Sequence, residues 1–129
     1  MMARHVVSAA GAPKAIGPYS HAVVAGEFIF TAGQAGVDPQ SGRLVEGIEA
    51  QTRQALQNIA AILSAAGGSL ANVVKTTVFL ANMADFPAMN KVYAEFFPTD
   101  PPARTTVAAA ALPLGALVEI EAVAWLPRP

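Results

Sequence analysis

The strongest periodic signal in the chain runs from Gly47 to Ala66. Ile48, Thr52, Ala55, Leu56, Ile59, Ile62, Leu63 and Ala66 recur at three- and four-residue spacing, which marks one buried stripe of an amphipathic helix. Gln51, Arg53, Gln54, Gln57 and Asn58 fill the opposite face, and Gly67-Gly68 supplies the stop. The period then changes. Val73 to Leu80 is apolar, β-branched and bounded by polar turns, so it reads as a strand. Asp85 caps a second helix that runs to about Phe97, with Phe86, Met89, Val92, Tyr93 and Phe96 as its stripe, until Pro98-Thr99-Asp100-Pro101-Pro102 breaks it.

The remaining segments read as strands. A short piece lies near Val6. Ala22 to Ala25 and Phe28 to Ala32 flank Gly26-Glu27, a two-residue hairpin turn of type II′. Gly33 to Gly36 ends the second of these strands, and Asp38 to Gly42 forms a loop. Arg104 to Ala110 and Leu117 to Trp125 follow, separated by a turn at Leu112 to Gly115. Two helices among this many strands predict an α+β domain over residues 1–129, a mixed sheet with both helices packed on one face. Only 13% of residues are charged, about half the usual share, and 53% are hydrophobic. A monomer of this size has too much surface for so few charges, so the bare sheet face is expected to be covered by further copies of the chain.

Composition also excludes some chemistries. The chain has no cysteine, which removes disulfides, thiolate metal sites and cysteine catalysis. Its two histidines, His5 and His21, lack a metal-binding spacing. The eight Lys and Arg residues are scattered and the net charge is −1, which argues against a phosphate-backbone groove. No apolar run approaches the roughly 18 residues of a membrane span, and residues 1–13 make no convincing signal peptide. The expected location is cytoplasmic.

Three charged residues stand out against this background. Arg104 sits in the nearly charge-free run that begins Pro102-Ala103-Arg104-Thr105-Thr106-Val107. Its permanent charge and planar fork call for a carboxylate. Glu119 and Glu121 share one face of the last strand, flanked by apolar residues. If the strands of Arg104 and Glu119 formed a tight hairpin around Pro113-Leu114, the two side chains would lie about 15 Å apart along it. Either the strands are not hairpin neighbours or the residues meet from different subunits.

Five motifs in order carry a family resemblance: Gly17-Pro18-Tyr19-Ser20, Thr31-Ala32-Gly33-Gln34, Val74 to Leu80, Met89-Asn90-x-x-Tyr93-x-x-Phe96-Phe97, and Pro102-Ala103-Arg104 through Glu119-Ile120-Glu121-Ala122. From about Ala15 to Ala124 the chain resembles the RidA/YjgF family of enamine and imine deaminases, whose relatives were also described as translation inhibitors or endoribonucleases. The resemblance implies a chorismate-mutase-like fold of the bacillus type, a homotrimer with sites between subunits, and hydrolysis of 2-aminoacrylate- or 2-iminopropionate-type compounds to a 2-oxo acid and ammonia, without metal or cofactor. It implies Arg104 as the carboxylate anchor, Glu119 as the group acting on water, and Tyr19, Gly33, Asn90 and Thr106 at the pocket. Thr106, Ala32 and His21 stand where many relatives have cysteine, serine and glutamine, which bears on substrate range. A specialised deaminase of an aminomuconate-type enamine, an endoribonuclease and a non-catalytic carboxylate-binding protein are the other readings. The partners implied are a small carboxylate and further copies of the chain, with neither membrane nor nucleic acid.

Overall fold

The computed structural model describes residues 4–127. Seven strands form one sheet: β1 (His5–Val7), β2 (Ala22–Ala25), β3 (Phe28–Thr31), β4 (Gln34–Ala35), β5 (Val73–Leu80), β6 (Ala103–Ala108) and β7 (Val118–Trp125). Two helices, α1 (Ile48–Ala65) and α2 (Phe86–Phe96), complete the α+β domain. The strand order is β1-β2-β3-β7-β5-β6, and β4 also pairs with β7. All pairings are antiparallel except β5 with β6. That exception follows from connectivity, since a parallel neighbour needs a long crossover and α2 provides it.

The sheet has one dry face. Val78, Leu80, Val118 and Ile120 are fully buried, as are Leu56, Ile62 and Leu63 of α1 and Met89 and Val92 of α2. Alternation sends Phe79, Glu119 and Glu121 to the other face, which no helix of the described residues covers. Phe28, Phe30, Val107 and Trp125 stand between 41% and 46% exposed on that side. The unpaired apolar face expected from the low charge content is therefore present. No helix of the described residues is long and apolar enough to cross a membrane.

Local expectations hold in most places. Gly26 turns the β2–β3 hairpin at a φ of 61°. Gly67, at φ 89°, closes α1 in a Schellman arrangement, with Gly68 N–H donating to Leu63 O at 2.8 Å and Gly67 N–H to Ser64 O at 3.0 Å. The cap before α2 differs from expectation. The Asp85 side chain makes no cap bond. A 3-10 turn over Met83–Asp85 leads into the helix, and Asn82 accepts from Ala84 N–H at 2.9 Å instead. The extra turn moves the first free N–H groups upstream, to where Asn82 stands. Asn58 and Gln51 also depart from expectation. The stripe puts both on the polar face of α1, yet they are 1% and 5% exposed. Each is buried because it answers backbone groups of the loops that α1 covers, as described below.

Candidate active site

Glu119 is the best-placed carboxylate in the molecule. Strand β7 aims it at the helix-free face, and β4 lies directly beside it, with Ala35 paired to Glu119. A cavity of about 550 Å³ opens there, lined by Ile16, Tyr19, Gly33, Pro113, Leu114 and Glu119 among others. Partial burial raises the Glu119 carboxyl above its usual range, and the neighbouring charge of Glu121 raises it further. The lack of a side chain at Gly33 leaves the Glu119 carboxylate room to stand where it does. A Cβ at that position would collide with the Glu119 carboxyl group, lying 3.0 Å from its Cδ. Gly33→Ala is expected to displace the carboxylate and lower turnover about 100-fold, a typical cost of a misplaced catalytic group, while a thermal melt shows the fold retained. Unchanged turnover would mean that Glu119 does not act from this position.

Tyr19 faces the same cavity. Its hydroxyl accepts from Ile16 N–H at 3.2 Å, so its own proton is free to be donated to a ligand. His21 shapes the loop behind it rather than binding metal. Its Nδ1 accepts from Ala9 N–H at 2.9 Å and its Nε2 donates to Pro13 O at 2.7 Å, which ties the buried ring to two backbone groups as the neutral tautomer.

Arg104 lies elsewhere. It pairs with Thr76 across the β5–β6 ladder, on the helix side of the sheet. Its guanidinium carbon stands 4.7 Å from the Tyr93 ring centre and 5.5 Å from that of Phe86. Among the described residues no carboxylate pairs with it, and its hydrogen-bond contact is with Met89 Sδ at 4.0 Å. Two further polar atoms are buried without partners, Thr106 Oγ1 and Asn90 Oδ1. Thr106 shares the Arg104 face of β6, two residues on, and Asn90 follows Met89 in α2. A half-buried cation and two buried polar atoms without protein partners thus lie on the α2 side of the sheet.

The predicted residues thus fall into two groups. Tyr19, Gly33 and Glu119 line the cavity, while Arg104, Thr106 and Asn90 belong to the β6–α2 side. Strand β5 separates the two groups. Phe79 pairs with both Glu119 and Val107, so Arg104 is two strands and three residues away from Glu119, roughly 10 Å in each direction. It also faces the opposite side of the sheet. The strands of Arg104 and Glu119 are not hairpin neighbours, and one chain does not bring these residues to one ligand.

Inspection of the sequence missed the supports of the cavity. Asn58 Nδ2 donates to Ala35 O at 3.2 Å and Val37 O at 2.9 Å, and its Oδ1 accepts from Gln54. Gln51 donates to Val45 O at 3.0 Å and accepts from Leu117 N–H at 2.9 Å. These two amides fasten β4, the following loop and the entry to β7, all of which border the cavity. Asn58→Leu orphans two carbonyls and is expected to cost about 2–4 kcal/mol. Urea unfolding checks this, and a cost near zero would show that the loop finds other partners.

Comparison with known proteins gives a consistent result. The family described as Endoribonuclease L-PSP matches residues 9–126. A RutC family protein of Pyrococcus horikoshii is 53% identical over 95% of this chain and 98% of its own length. The human 2-iminobutanoate/2-iminopropanoate deaminase is 51% identical over 94% of this chain and 89% of its own. Among solved structures, a conserved Rid-family protein of Yersinia pestis superposes with a TM-score of 0.93 at 46% identity, covering 96% of this chain and 100% of that one. E. coli TdcF with bound serine superposes at 0.92 with 39% identity, covering 95% and 99%.

Proposed function

As the chain belongs to the Endoribonuclease L-PSP family, the RidA/YjgF family that its motifs resemble, we infer that this imine deaminase acts on small 2-imino acids of the 2-iminopropanoate and 2-iminobutanoate type. The observation that carries the reading is the guanidinium of Arg104, half-buried with no anionic partner among the described residues and set near two buried polar atoms without protein partners. Such a group calls for a planar carboxylate. The names of the mammalian relatives, and the serine bound to TdcF, agree with a small α-substituted carboxylate as ligand.

Each step follows from the residues. Arg104 holds the substrate carboxylate and fixes the imine carbon in place. Glu119, as the carboxylate, takes a proton from water as the water oxygen attacks that carbon. The imine is attacked in its protonated form, so the carbinolamine carries a neutral amine, which takes the proton held by Glu119, directly or relayed by Tyr19. As the C–N bond breaks, the carbinolamine hydroxyl gives its proton to Glu119 and its oxygen forms the C=O bond, ammonia leaves, and the 2-oxo acid remains bound to Arg104 until release. The imine carbon is already electrophilic, so general acid–base assistance supplies the main acceleration.

Because Arg104 and Glu119 lie on opposite faces of one sheet, the complete site forms between subunits. The apolar helix-free face supplies the contact surface of an oligomer, for which we propose a homotrimer acting in the cytoplasm. An RNA-cleaving role finds no support here. The cavity presents one lysine, Lys14, and no cluster of cations of the kind that would neutralise a polyphosphate backbone.

The test is hydrolysis of 2-iminopropanoate released by a pyridoxal-phosphate dehydratase, comparing wild type with Arg104→Ala. Acceleration by wild type alone is the expected result. Acceleration by neither protein, or by both equally, would contradict the reading.

A further inference from the structure

Arg104 is held in an unusual way for an arginine between strand and helix. Its support is aromatic. The Tyr93 ring lies 4.7 Å and the Phe86 ring 5.5 Å from the guanidinium carbon, and both rings come from α2. Tyr93 is itself fixed. Its hydroxyl bonds the Thr76 hydroxyl at 2.7 Å in a buried contact, and its ring packs on Phe97 at 4.8 Å between centres. Thr76 is the residue that stands opposite Arg104 in the β5–β6 ladder. Thr76, Tyr93 and Arg104 therefore close a loop from β5 through α2 to β6 and back across the sheet.

We propose that Tyr93 and Phe86 are positioning residues, which hold the Arg104 guanidinium by their ring faces and leave its N–H groups free for a substrate carboxylate. An acidic side chain would hold the cation more strongly, but it would occupy the same donors and compete with the substrate. A ring face attracts the cation through its quadrupole and accepts no conventional hydrogen bond from it. As a neutral phenol, Tyr93 also brings no anion that would compete with the substrate carboxylate. Burial raises its hydroxyl above the ordinary tyrosine range, outweighing the lowering effect of the Thr76 bond and of the Arg104 charge. The inference rests on the reading of Arg104 as carboxylate anchor.

The experiment measures binding of 2-oxobutanoate and of its uncharged amide to the intact oligomer, alongside KM and kcat for imine hydrolysis. Tyr93→Leu is expected to weaken the acid about tenfold and raise KM in parallel, with little change in kcat or in amide binding. Tyr93→Phe keeps the ring and should restore acid binding to within about twofold of wild type. Phe86→Leu, at a less buried position, should weaken the acid about threefold and leave the amide alone. Acid binding unchanged in both leucine variants would overturn the inference, as would equal losses for acid and amide, the mark of a purely structural role. Should Tyr93→Leu not assemble, Phe86→Leu decides by the same criteria. A wild-type protein that neither binds the acid nor hydrolyses imines would sink the proposed function and this inference together. Active wild type with indifferent variants would sink this inference alone.

Discussion

Arg104→Lys lowers kcat/KM for 2-iminopropanoate by roughly 100-fold. The fork of the guanidinium meets a carboxylate with two parallel N–H donors, whereas an ammonium meets it as a point charge. The loss of one charge-assisted hydrogen bond and of its geometry is commonly about 2–3 kcal/mol, and each factor of ten corresponds to about 1.4 kcal/mol. The lysine also interacts less well with Tyr93 and Phe86, because it lacks a flat face to lay over them. Stability should change little, since no ion pair among the described residues is broken when Arg104 is replaced. Steady-state kinetics on the purified variant checks the figure. Full activity of Arg104→Lys would mean that the substrate carboxylate is bound elsewhere.

Glu119→Gln has the second large effect and acts on a different constant. The amide occupies the same space beside Gly33 but accepts no proton from water. A drop in kcat of about 10²–10⁴ is expected, with 2-oxo acid binding retained. Loss of binding together with loss of the oligomer would instead make Glu119 structural. The pH profile gives a further check. The active form is the ionised carboxylate, so activity disappears as pH falls through the Glu119 pKa. Burial first, and the charge of Glu121 second, hold that pKa above the usual carboxylate range. The acid limb of the wild-type profile should therefore lie above the range of an ordinary glutamate. Glu121→Gln should move it downward, since one of the two causes is removed. An upward shift, or none, would mean that the limb belongs to another group.

The regular elements were legible because their patterns are local. Val73–Leu80 is a strand with the bounds its β-branched run predicted, and α1 spans Ile48–Ala65 within the stripe that marked it. Asn58 and Gln51 were not legible. A buried amide and an exposed one look alike in sequence, and the carbonyls that bury these two belong to Ala35, Val37 and Val45, distant along the chain. The residue types of the candidate site were readable: a carboxylate-seeking arginine in an apolar run, and two glutamates on one strand face. Their separation was readable only as a pair of alternatives. It depends on β5 lying between β6 and β7, a consequence of the α2 crossover, and on a pairing register that turns Arg104 toward α2 and Glu119 away from it. The aromatic support of Arg104 was hidden for a related reason. Tyr93 and Phe86 read as core stripe of a helix, and nothing local says which residue of a strand three turns away their rings will meet.

Mixing two inactive variants distinguishes a site shared between chains from one contained in a single chain. Arg104→Ala retains the Glu119 half of the site, and Glu119→Gln retains the Arg104 half. Unfolded, mixed in equal amounts and reassembled, they should form trimers in which about one site in four joins an intact half from each chain. Imine hydrolysis should then return to about a quarter of the wild-type rate, although neither variant alone has appreciable activity. Reassembly with no recovered activity would contradict the shared site, because it would mean that Arg104 and Glu119 must come from the same chain.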